Sequence, residues 1–208
     1  MIQEIGEIIK ARLIGINFVD RLAGITQVVS YQERTRDEAK IEERFPAACD
    51  VESLNCGEDK SRLKDLVPDS KKRSVIFLED ISGAQFTGRT RNDLNFTANI
   101  RLVAWINQQK LGKDNCSVTG PIMAKIIGAL QTTSPFNNAP YTRISISIGR
   151  IVPKTPAIFQ RYTFPLTEKQ YLMWPFDYFA LDLVVKFSMN ENCQEPFIIG
   201  PEDECETA

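Results

Sequence analysis

The chain contains no histidine among its 208 residues. That absence removes the side chain most often used as a general base, as the middle member of a nucleophilic triad and as a metal ligand. A Cys–His pair is excluded, and the serines have neither a G-x-S-x-G elbow nor a histidine to activate them. Neither G-x-G-x-x-G nor G-x-x-x-x-G-K-[ST] is present, so Gly83, Gly88 and the run TGRTR read as a flexible basic hairpin tip rather than a phosphate loop. The five cysteines (Cys49, Cys56, Cys116, Cys193, Cys205) contain no C-x-x-C pair. They read as free thiols of a reducing compartment, with Cys49 in FPAACD as a small buried apolar residue. Charge of one sign is also lacking: 25 Lys and Arg stand against 27 Asp and Glu, a net charge of -2. A phosphate backbone is bound in proportion to its cationic contacts, so specific nucleic-acid binding is not expected. No apolar run approaches the roughly 20 residues that span a bilayer. The start, MIQEIGEIIKARLIG, carries Glu4 and Glu7 and reads as an amphipathic helix rather than a signal peptide. The expectation is synthesis in the cytoplasm without a membrane partner.

Strand alternation, by contrast, is abundant. In residues 92–109, Leu94, Phe96, Ala98, Ile100 and Leu102 share one face, while Asn95, Thr97, Asn99 and Arg101 share the other. In residues 177–189, Phe179, Leu181, Leu183, Val185 and Phe187 are in phase. Period-2 runs of this length mark strands with one buried and one wet face, the signature of an antiparallel sheet. Ile2, Ile5, Ile8, Ile9 and Leu13 recur at helical spacing and predict a helix over 2–14, broken by Gly15. A second helix is predicted from Pro121, with Ile122, Ile126 and Leu130 as its stripe, ending before Ser134-Pro135. The fold class expected is α+β: a mostly antiparallel sheet flanked by an N-terminal helix and one mid-chain helix.

Between these landmarks, residues 16–32 predict a short strand, a turn near Asp20 to Gly24, and a strand from Ile25 to Tyr31. The charged stretch 33–44 is placed on the surface, and 45–51 reads as a strand. Residues 52–73 are polar and charged and read as a long loop or projecting arm. Residues 74–79 (SVIFLE) form a compact strand, and 80–91 a glycine-containing connection. Residues 142–151 alternate Ile144, Ile146 and Ile148 against Ser145, Ser147 and Gly149. Pro153, Pro156 and Pro165 suit a rim crossing, and Thr167 with Gln170 suggests a brief capped turn. The organisation is one domain over 1–190 and an acidic, weakly structured tail over 191–208.

Two constellations deserve chemical weight. Glu79, Asp80 and Asp93 sit near strand ends as read from the sequence, and three converging carboxylates are able to hold a magnesium ion for hydrolysis. The plainer reading is a strand end whose turn favours Asp. Trp105, Trp174, Phe176, Tyr178 and Phe179 surround the two long strands. They either fill the core or line a pocket for a small molecule or protein, with Trp174 and Phe176 nearest a sheet rim. The polar face of Asn95, Thr97, Asn99 and Arg101 is compatible with solvent or with a neighbouring subunit.

The order of elements, with FTANIRLVAWIN at 96–107 and PFDYFALDLVVKF at 175–187, resembles the tail-terminator and minor-tail (tail-completion) proteins of long-tailed phages and prophages. The resemblance implies a non-enzymatic structural role without a cofactor or metal: a homo-oligomeric ring, sixfold, at the head-proximal end of the tail tube. Its partners would be other tail or head-joining proteins, and its final place the virion or tail particle. The loops at 33–44 and 57–73 would reach neighbours, and Arg89, Arg91, Arg101, Trp174 and Phe176 are interface candidates. The insertion at 52–73 and the chain's length depart from the simplest members of that group.

Overall fold

The computed structural model describes residues 1–34, 40–49, 63–111, 118–163 and 172–190, with backbone alone for 31–34, 40–43, 49 and 63–65. The chain runs α1 (Ile2–Leu13), β1 (Arg21–Ile25), β2 (Gln27–Arg34), β3 (Lys40–Cys49), β4 (Leu63–Asp65), β5 (Ser74–Thr90), β6 (Asp93–Asn107), α2 (Thr119–Leu130), β7 (Phe136–Asn138), β8 (Tyr141–Val152) and β9 (Phe176–Asn190). It is an α+β fold. The main sheet has the order β1-β5-β6-β9-β8-β7, and β2-β3-β4 form a second, smaller sheet. Only β1 runs parallel to its neighbour; the other pairings are antiparallel. The two long strands expected from the alternation are β6 and β9, and they pair along their whole length from Asp93↔Asn190 to Asn107↔Phe176.

One face of this sheet carries both helices. Ile5, Ile9 and Leu13 of α1 and Ile122, Ile126 and Leu130 of α2 repeat every four residues, so each helix buries a single stripe. They meet Ala98, Ile100, Leu102, Ala104 and Ile106 of β6 with Phe179, Leu181, Leu183, Val185 and Phe187 of β9. Gly6 lets α1 approach β1 closely, since a Cβ there would stand 2.6 Å from Ile25 Cγ1. The Arg12 guanidinium donates to the Ala129 carbonyl at 3.0 Å in the last turn of α2, where helix carbonyls lack intrahelical partners.

The opposite face is divided. At one end Val75, Phe77, Val103, Trp105, Tyr178 and Ala180 form a second core. It is covered by the crossing after β8, where a 3-10 turn (Pro156–Phe159) lays Phe159 on Trp105 with centroids 4.4 Å apart. Pro153 and Pro156 lie in that crossing, and Pro165 lies outside the described residues. At the other end the same face is polar, and no described element covers it.

Several expectations are corrected. Residues 16–19 form turns, not a strand, and the turn expected at Asp20 to Gly24 is strand β1. Gly24 faces α1 rather than making a turn: a Cβ there would meet Glu7 Oε1 at 2.4 Å. The connection expected at 80–91 is the continuation of β5 to Thr90. Its glycines serve two bulges, Gly83 at φ 68° and Gly88 at φ 137°, which bend the strand without ending it. Of the charged stretch 33–44, placed on the surface by its composition, residues 33–34 and 40–44 belong to β2 and β3, and Arg44 is exposed. Within 52–73, Leu63–Asp65 is a strand. Residues 50–62, the Thr167–Gln170 turn, the 191–208 tail, Cys56, Cys116, Cys193, Cys205 and the Cys49 side chain lie outside the described residues.

Candidate functional site

The three carboxylates do not converge. Glu79 pairs with Arg101 and Asp80 with Ile100, whereas Asp93 pairs with Thr90 at the hairpin end. Seven or eight residues of strand separate them, about 23–26 Å at roughly 3.3 Å per residue. Glu79 is 2 % exposed and accepts a hydrogen bond from the Tyr162 hydroxyl. Burial pushes its carboxyl above the usual carboxylate range, and Tyr162, Arg161 and Arg101 offset part of that rise. Asp80 points the other way, its Oδ1 accepting from the amides of Ser82 (3.2 Å) and Gly83 (2.7 Å). That is the turn-stabilising role of an Asp at a bulge. Among the described residues no group of three His, Cys, Asp or Glu is placed to hold a metal ion.

Arg101 sits at the boundary between the two halves of the divided face. Its guanidinium donates to both Asp182 oxygens, at 2.7 and 3.2 Å, from the facing position on β9. A half-buried, two-pronged pair of this kind is more specific than a surface contact. Arg89 and Arg91 lie exposed at the β5–β6 tip, where Arg89 Nε donates to the Arg91 carbonyl at 3.1 Å and Arg91 adopts φ 55°. Phe176 is buried at the start of β9, while Trp174 is 67 % exposed and Met173 65 %. The crevice lined by Pro68, Trp105 and Phe176 has an accessible volume of about 0 Å³. Among the described residues, aromatic rings pack that end of the sheet, and this crevice holds no ligand-sized space.

Sequence reasoning missed Asp177, which gathers this corner. It accepts from the Thr119 hydroxyl at the start of α2, from Gln108 Nε2 at 3.1 Å and from its own neighbour's amide at 3.0 Å, and it pairs with Lys154 at 3.1 Å. Burial alone would raise its pKa; Thr119 and Lys154 outweigh that and hold the carboxyl below the usual range.

Two surfaces remain. The first is the edge set of the main sheet. β1 pairs with β5 only over Val75 to Leu78, and among the described residues no strand lies along the side of β5 away from β6 from Ile81 onward. On the far side β7 pairs with β8 only over Tyr141 to Ile144, and no described strand lies along the side of β8 away from β9 over Ser147 to Val152. Both edges expose apolar side chains, Ile81 (48 %) and Phe86 (60 %) on β5 and Ile151 (48 %) on β8. The second surface is the uncovered polar half of the sheet, which holds an open pocket of about 340 Å³ reaching from Thr87 on β5 to Pro135 beside β7.

No family model matches the chain, and neither a curated protein nor a solved structure is significantly similar to it. Among the described residues no helix is long and apolar enough to cross a membrane.

Proposed function

We propose that the protein is a non-enzymatic structural subunit of a phage or prophage tail, forming or capping a ring at the head-proximal end of the tail tube. The observation that carries this reading is the pair of unlike free edges on one sheet. β5 and β8 run in opposite directions and stand on opposite sides of that sheet. A contact between the β5 edge of one copy and the β8 edge of the next is heterologous, and such a contact repeats until it closes into a ring or runs on as a filament. Apolar residues on both edges supply burial for the contact. The small β2-β3-β4 sheet adds a second element suited to a neighbour: Gln27, Val28 and Ser30 of β2 are exposed. The rival hydrolase reading loses its geometry with the separation of Asp93 from Glu79 and Asp80.

Light scattering over a concentration series, with negative-stain images of the same samples, tests the proposal. The wild type should reach one defined mass with a central hole. Phe86→Lys and Ile151→Lys should each stay monomeric, because either change damages every contact of the ring. An equimolar mixture of the two should give a dimer, since one β5 edge and one β8 edge remain intact. A wild type monomeric at every concentration, or variants that assemble normally, overturns the reading.

A further inference from the structure

We propose that the open pocket on the polar half of the sheet binds a small phosphate monoester, an inference independent of the tail reading. The pocket lies across β5, β6, β9 and β8. Register places its side chains in two cross-strand rows: Thr97, Lys186 and Ser145 in one, Asn95, Ser188 and Arg143 in the next. Directly facing side chains in such rows lie about 5 Å apart, and diagonal ones about 7–8 Å. Lys186 and Arg143 are therefore diagonal neighbours, close enough for an ammonium and a guanidinium to reach the same phosphoryl group.

The second row is internally organised. Ser188 Oγ donates to Asn95 Oδ1 at 2.7 Å, and Asn95 Nδ2 donates to Thr90 Oγ1 at 3.0 Å. The remaining donors are unspent. Among the described residues the side chains of Thr97, Ser145, Lys186 and Arg143 have no hydrogen-bond or ion-pair partner. Among the described residues no carboxylate lines the pocket. The nearest on this face by register are Asp93, at the strand end beyond Asn95, and Asp182, already held by Arg101. Two uncompensated cations, with the free Ser145 hydroxyl beside both and the free Thr97 hydroxyl on the other side of Lys186, match the charge and acceptor count of a phosphoryl dianion, with Arg143 offering its planar fork and Lys186 a point charge. A volume of about 340 Å³ lies within the range for one small ligand. A nucleic-acid backbone is the less suited source of phosphate, because a net charge of -2 provides no extended cationic track.

Calorimetric titration of the full chain with inorganic phosphate, a nucleoside monophosphate, the uncharged nucleoside and a short oligothymidylate tests the assignment. The phosphate and the monophosphate should saturate one site, and the nucleoside should not bind. Lys186→Gln and Arg143→Gln should each weaken binding about tenfold or more, the loss of one charge-assisted contact. Both positions are exposed, so the variants should melt like the wild type without ligand. No saturable binding at millimolar phosphate or monophosphate, affinities unchanged in both variants, or preference for the oligothymidylate overturns the proposal.

Discussion

Glu79 gives the most direct handle on how the crossing after β8 is held against the sheet. It is buried in β5 and takes a hydrogen bond from Tyr162, whose ring also packs edge-on against Phe77 at 6.4 Å. Burial raises its pKa from the reference value of 4.5. A carboxyl with a raised folded-state pKa binds its proton more tightly folded than unfolded. Its protonated form is therefore the one that favours folding, and stability falls as pH rises from about 4.5 through the folded pKa. The slope of one such group cannot exceed about 1.4 kcal/mol per pH unit. Glu79→Gln keeps an oxygen to accept from Tyr162 but does not titrate. Urea unfolding of both proteins from acid to neutral pH should show the variant gaining on the wild type as pH rises, then a constant difference once Glu79 is ionised in both states. The rise from the acid baseline to the plateau, divided by about 1.4 kcal/mol, gives the pKa shift. Subtraction matters, because Asp20 and Asp177 have lowered values and tilt both curves the other way, losing stability as pH falls. Tyr162→Phe removes the donor and should extend the window to higher pH. A difference between wild type and Glu79→Gln that is flat with pH, or that falls as pH rises, refutes the reasoning.

The two tryptophans should part company. Trp105→Ala empties a site that is 1 % exposed and stacked on Phe159, and should cost about 3–5 kcal/mol. Trp174→Ala, at 67 % exposed, should stay within about 0.5 kcal/mol; chemical denaturation reads both. The glycines of the two helices should also differ in sign. Gly6→Ala forces a methyl to within 2.6 Å of Ile25 and should lose about 1–3 kcal/mol by overpacking. Gly128→Ala in α2 meets nothing within 4 Å and should gain about 0.5–1 kcal/mol in the same assay.

What the sequence made legible follows from periodicity. α1 and α2 bury one stripe each, and β6, β8 and β9 keep one apolar face in phase along most of their length, so 3.6-residue and 2-residue repeats expose them without any knowledge of partners. β1 and the outer half of β5 were hidden by glycine. Gly24 makes room for Glu7 of a helix distant in sequence, and Gly83 and Gly88 shape bulges. From sequence alone all three resemble turn residues, because a left-handed φ, a bulge and a close approach draw on the same missing side chain.

The sites were less legible than the fold for a related reason. Alternation assigns Arg101, Asp182 and Lys186 to faces of their strands, but chemistry depends on which residue stands opposite which. Arg101 meets Asp182 across 81 residues, and Glu79 meets Tyr162 across 83. Register decides the first meeting and the path of the crossing after β8 the second, and a slip by one residue would turn every side chain of β9 to the other face of the sheet. The lowest-frustration register is the one that puts Phe179 through Phe187 beneath the helices. That same choice fixes Lys186 between Thr97 and Ser145, and Asp182 beside Arg101, on the opposite face. The polar pocket is thus a consequence of how the apolar face is satisfied: once the core selects the register, the cations have no freedom to sit elsewhere.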